Sequence, residues 1–199
     1  MQEVAFPAVF NLREHNFSLL LDVIKARQTE GPEAVKQGLR ELIMRSLPAG
    51  AFILRVHESG DFFSQLYWDA WMEVIQTCAH STFYAYTQSL HFLHDWLVTR
   101  DRRLPLNFAV TMSMGGMFEH LVPAIREKKF IPTATVVYHP EDAEALDLMI
   151  DHTDDFALQA TEDFALLLHG QQKAGSAPSQ AMKRMRTEGV SHGYKAKRR

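Results

Sequence analysis

The chain has 199 residues, 46% hydrophobic and 23% charged, with a net charge of −3 and a single cysteine, Cys78. At about 150 residues per domain this fits one domain with an appendage, and the apolar fraction sets it apart from disordered chains. One cysteine excludes an internal disulfide framework, a four-cysteine zinc site and an all-cysteine iron–sulfur cluster within the chain; the absence of a long apolar run and of a basic, apolar N-terminal start excludes a membrane span and a signal peptide.

Two helices are expected first. One spans 8–25 behind Pro7, with Val9, Leu12, Phe17, Leu20 and Ile24 on its buried side; Gly31-Pro32 separates it from a second over 32–47 carrying Val35, Leu39, Leu42 and Ile43. Phe52–His57 is a short apolar, β-branched run that reads as a buried strand. Glu58–Phe63 turns the chain and Ser64 can cap a helix whose face carries Tyr67, Ala70, Trp71, Val74, Ile75 and Cys78. Thr82–Thr87 is the next strand, followed by a helix over 90–101 with Phe92, Leu93, Trp96 and Leu97 as its stripe. Asn107–Met112 is a third strand, Ser113-Met114-Gly115-Gly116 a turn, and Phe118, Leu121, Val122 and Ile125 mark another helix. Thr133–His139 is a fourth strand; Pro140 then suits the first position of a helix reaching about Ile150, with Glu141 and Asp142 at its positive end. Phe156–Thr161 and Ala165–His169 read as two more short strands.

Short apolar strands joined by helices predict an α/β fold: parallel βα repeats with right-handed crossovers, as an open doubly wound sheet or, the favoured alternative, a partial TIM-like barrel over residues 1–170. Residues 171–199 hold eight basic side chains against one acid, Glu188, so a basic, flexible tail is expected there. Lys183, Arg184, Arg186, Lys195, Lys197, Arg198 and Arg199 are its candidate nucleic-acid contacts, through phosphate neutralisation.

Ligands of parallel α/β folds sit beyond the carboxyl ends of the strands. The predicted ends carry His57, Glu58, Ser59, Gly60 and Asp61; Thr87 and Gln88; Ser113; His139; and Glu162, after the predicted fifth strand. These form the candidate ligand pocket, with Ser59-Gly60 allowing a tight turn and Glu58 and Asp61 able to accept from an amine. The residue types could hold a metal, but no helical HxxxH or HExxH spacing supports one, and none is expected. No glycine-rich nucleotide loop and no complete catalytic motif is present, so no catalytic residue is assigned.

The segment RVHESGDFFSQLYWDAWMEVIQTCAHSTFYAYTQSL resembles the phage gene product 88 family, with its R-hydrophobic-H-(D/E)-SGDFF turn, aromatic-rich helix and (F/W)YAYT strand; the tail LHGQQKAGS…HGY is also similar to that family's end. The resemblance implies a radical-SAM-like partial barrel in the cytoplasm of an infected bacterial host. It also implies S-adenosylmethionine as a cofactor, with Ser59-Gly60-Asp61 in the place of the glycine–glycine–glutamate turn that holds the methionine amine. The family's cysteine-cluster segment has no counterpart here, since no cysteine precedes Cys78. An iron–sulfur cluster and radical chemistry are therefore not expected, and the sequence reads as a shortened member or one whose start lies upstream. Three functions follow: a degenerate domain binding a small ligand at its strand ends, a nucleic-acid-associated protein acting through its tail, or a phage protein that binds a host protein or a second copy of itself through an apolar patch or an open sheet edge.

Overall fold

The computed structural model describes residues 7–170 and 172–190. Two helices, α1 (Pro7–Arg27) and α2 (Pro32–Ser46), precede β1 (Ile53–Arg55), α3 (Gln65–Thr77) and β2 (Thr82–Thr87). Then come α4 (Leu90–His94), which runs on as a π-helical turn to Thr99, β3 (Phe108–Ser113), α5 (Val122–Lys128) and β4 (Thr133–Val137). The described residues end with α6 (Pro140–Ala145), β5 (Met149–Asp151), α7 (Asp155–Gln159), β6 (Phe164–Leu167) and α8 (Ala177–Thr187). Among the described residues six strands run parallel, in the order β1-β2-β3-β4-β6-β5, and curl into a half-barrel. The α/β partial barrel expected from the sequence is thus the fold. None of the described helices is long and apolar enough to cross a membrane.

The strand order explains the layers. From β1 to β4 the sheet grows in one direction, and right-handed crossovers keep the connecting helices on one face. Phe83 and Ala85 of β2 and Val110 and Met112 of β3 point to that face, where they join Trp68, Trp71, Leu93, Ile125 and Leu39 in the main core. The step from β5 to β6 runs backwards along the sheet, so the same handedness puts α7 on the opposite, inner face. There Ala157 packs with Phe164 and Ala134, against Tyr84, Tyr86 and Phe156.

Several expectations are corrected. The helix begun at Pro140 stops at Ala145, and its last predicted residues form β5; Phe156–Thr161 is not a strand but lies largely in α7. In α1 only Leu20, Val23 and Ile24 pack on the core, while Leu12 and Phe17 stay 60% and 45% exposed; the side chain of Val9 lies outside the described residues. That packing is close because Gly38 of α2 has no side chain: a Cβ there would lie 2.7 Å from Val23 Cγ1. Beyond the boundary expected near 170, one helix packs on the body. Met182 and Met185 of α8 are buried with Val137, Ala143, Ala165 and Leu167, because α8 carries an apolar stripe between its basic residues. Truncating Met185, fully buried, to alanine is expected to cost about 2 kcal/mol in chemical denaturation and to expose α8 to limited proteolysis. Residues 191–199 lie outside the described residues.

Candidate ligand-binding site

The most distinctive stretch of sequence builds the carboxyl end of β1. After Arg55 the chain turns through His57–Phe63, with Gly60 at φ +79°, a backbone state that glycine adopts freely. Ser64 caps α3 as expected, its hydroxyl accepting from Tyr67 N at 3.2 Å.

Asp61 is fully engaged by its own chain. Oδ1 accepts from Phe62 N at 2.7 Å and from the Thr87 hydroxyl at 2.6 Å; Oδ2 accepts from Gln88 N at 2.7 Å and Ser89 N at 3.0 Å. The Ser89 hydroxyl returns a hydrogen bond to the Phe62 carbonyl at 2.8 Å. This carboxylate clamps the β1 turn to the start of α4. Its two oxygens are taken by four donors, so it does not fit the role implied for it as acceptor of the methionine amine of S-adenosylmethionine. Nor does an iron–sulfur cluster fit the donor set: the one thiol, Cys78, is half-buried at the end of α3 beside Met44 Sδ.

His57 lies in an aromatic nest of Phe62, Tyr67 and Trp71. Its Nε2 shares a hydrogen bond with the Tyr67 hydroxyl at 3.2 Å, and its buried Nδ1 has no partner among the described residues. Burial pushes the imidazole down to about 4, against the opposing pull of the Asp61 charge. The ring is neutral at physiological pH, and the same burial raises the Tyr67 hydroxyl.

Beside this turn, α1 closes a groove of about 600 Å³. One wall is the turn itself, from Val56 to Asp61; the other is Leu12, Arg13, Glu14, Asn16, Phe17 and Leu20 of α1. Its floor is aromatic: Phe63 stacks on Tyr67 with centroids 4.5 Å apart, and Phe17 meets Phe63 edge-on at 5.8 Å. Its rim is charged, with Arg13 and Glu14 facing the exposed Glu58 and Ser59. His57, Glu58, Ser59, Gly60 and Asp61 all line this groove.

The other expected residues divide. Thr87 and Gln88 belong to the Asp61 clamp rather than to the groove. Ser113 ends β3 and leads into a turn in which Gly115 N and Gly116 N both donate to Glu119 Oε1, and Gly116 lies against Gln88. His139 is beyond β4, where it caps α6 and is covered by α8: its Nε2 lies 2.6 Å from Glu188 Oε2. Glu162 precedes β6 and so sits at the amino edge of the sheet, away from the groove, because the strand expected before it is a helix. Sequence reasoning missed the α1 half of the groove. Arg13 gave no motif, and Phe17 matched the apolar stripe as a core residue.

Searches of curated proteins and of solved structures found no match. A family model described as Gene product 88 matches residues 1–188, nearly the whole chain, and the protein therefore belongs to the gene product 88 family.

Proposed function

We propose that the chain binds a small zwitterionic ligand with an apolar body in the groove between α1 and the β1 turn, without radical chemistry. The observation that carries this reading is the groove's make-up: exposed aromatic rings on the floor, a carboxylate at Glu58 and a guanidinium at Arg13 on opposite walls. Glu58 receives the ammonium that Asp61 cannot, and Arg13 the carboxylate. S-adenosylmethionine belongs to this ligand class, as does methionine. Neutral His57 anchors the turn through Tyr67 without adding a charge.

Native mass spectrometry of the chain, purified at low salt, tests this. Wild type is expected to retain a small-molecule mass, or to melt higher with S-adenosylmethionine or methionine. The Arg13→Ala/Glu58→Ala variant is expected to lose both effects while keeping its own melting temperature. A bare mass together with no response to either compound overturns the reading.

A second reading is a protein partner, either of the host or a second copy of the chain. It is supported by the exposed apolar side chains Phe10, Leu12, Phe17 and Leu19 along α1. Association that survives the groove variant but not Leu12→Glu/Leu19→Glu favours it. The nucleic-acid reading keeps Lys183 and Arg186, both exposed on α8, while Arg184 is tied to Glu141 and Glu188. Lys195, Lys197, Arg198 and Arg199 lie outside the described residues. Oligonucleotide binding that falls steeply with salt supports that reading.

A further inference from the structure

At the amino ends of the strands, away from the α1 groove, a group of apolar side chains stands open to solvent. Leu106 lies two residues ahead of β3, Phe130 three residues ahead of β4, and Ile53 begins β1; all three are exposed. Single exposed apolar residues are ordinary, whereas a group of them around a cavity marks an interaction surface. The cavity here measures about 310 Å³ and is lined by Leu106 and Phe130 themselves, together with Thr82, Ala109, Ile131 and Leu158. Ile53 joins the group as the register partner of Thr82.

Leu106 is the knob of this patch. Its relative exposure is 106%, so the side chain touches almost nothing of its own fold. Its backbone, by contrast, is pinned on both sides. Leu104 and Pro105 before it are buried, Trp96 Nε1 donates to the Arg103 carbonyl at 3.1 Å, and Phe108 N donates to the Pro105 carbonyl at 3.1 Å. After it, Asn107 Nδ2 donates to the carbonyls of Ile75, Cys78 and Ser81 at 2.9, 3.1 and 2.9 Å. A side chain held out on so fixed a loop gives up little backbone freedom when a partner buries it. Phe130 is steadied too, with the Arg126 guanidinium 5.3 Å over its ring.

Knob and hollow thus share one patch. A two-fold interface asks for this, because each copy then inserts its knob into the hollow of the other. The charges at the rim agree with it. Lys129 lines the cavity, and Glu162 lies two residues beyond Ala160, which also lines it. Both are exposed, and neither has an ion pair among the described residues. A surface with both signs can match a second copy of itself, whereas a polyanion would be repelled by Glu162 and the exposed Glu127.

We propose that the chain forms a symmetric dimer through the amino end of its half-barrel. Leu106 of each copy enters the hollow of the other, and Lys129 of each copy faces Glu162 of the other. The α1 groove, beside the carboxyl end of β1, stays open in this dimer, so the inference stands apart from the ligand reading.

Sedimentation velocity of the full chain across a range of concentrations tests it. Wild type is expected to pass from monomer to dimer as the concentration rises. Leu106→Glu is expected to weaken the dimer at least about tenfold without lowering the melting temperature of the dilute protein. Lys129→Glu and Glu162→Lys are each expected to weaken it about threefold, and the two together to restore it, since reversing both charges keeps the pair. The amide resonances of Ile131 and Leu158 are expected to move with concentration while those of Glu58 to Asp61 stay in place. A wild type that remains monomeric throughout overturns the proposal, as does a dimer that Leu106→Glu leaves intact. Loss of the dimer in Leu12→Glu/Leu19→Glu but not in Leu106→Glu overturns it as well, by placing the contact on α1.

Discussion

Replacing Asp61 with alanine is expected to cost about 3 kcal/mol, which for a chain of this size lowers the melting temperature by roughly 6–12 °C. The backbone N–H groups of Phe62 and Gln88 and the Thr87 hydroxyl lose their acceptor at once, and Ser89 N keeps only the Thr87 hydroxyl oxygen at 3.0 Å. Gln88 is exposed, so water replaces part of what its amide loses; Thr87 is buried and has no such recourse. Each group left bare costs on the order of 1 kcal/mol. Asp61→Asn preserves the shape but aims an NH₂ at one pair of donors, so it is expected to recover less than half of the loss. Because the same residue holds the turn that walls the groove, Asp61→Ala should also weaken ligand retention. Glu58→Gln, by contrast, should weaken retention with no loss of stability. Denaturant titration of the three variants decides between these roles, and a cost below about 1 kcal/mol for Asp61→Ala would show that the clamp holds nothing.

Lowering the pH from 6.5 to 4 is expected to remove about 3 kcal/mol of stability through His57 alone. The sign follows from the direction of the shift. In the unfolded chain the imidazole takes up a proton near its ordinary value of 6.5, whereas in the fold it does so only at about 4. Between those limits the unfolded state binds the extra proton, so stability falls as the pH falls and is flat in this contribution above the window. Carboxylates titrate in the lower part of the same range, which makes the difference between wild type and His57→Phe the informative quantity. Phenylalanine fits the nest of Phe62, Tyr67 and Trp71 and carries no proton. The gap between the two stability curves should open steadily from pH 6.5 down to 4. Parallel curves would mean that water reaches the ring and that the imidazole titrates normally.

What the sequence revealed, and what it hid, follows from the length and exposure of each element. β1 to β4 stood out because buried parallel strands are apolar on both faces, as in Thr82–Thr87 and Thr133–Val137. β5 did not. It is three residues long, lies at the sheet edge with Met149 62% exposed, and starts four residues after α6 ends, so its apolar residues extended the helical pattern. α7 failed in the opposite way: five residues are as compatible with a short strand as with one turn of helix, and its left-handed limits fall on Asp154 and Ala160, neither of which advertises them as glycine would. At the site, Glu58–Asp61 was legible as a polar turn at a strand end. Sequence could not tell whether Asp61 faces a ligand or its own backbone, because both uses call for the same residue.

The order of the strands also sets a timetable for synthesis. β2, β3 and β4 each emerge from the ribosome with their neighbour already made, so that part of the sheet can grow one strand at a time. β5 emerges with nowhere to go, because the strand that it pairs with is β6, still to come. When β6 arrives it must enter between β4 and β5, drawing α7 over one face while α8 follows onto the other. A nascent chain stopped before Phe164 is therefore short by two strands, not one, and leaves the flank of β4 bare for any extended segment nearby.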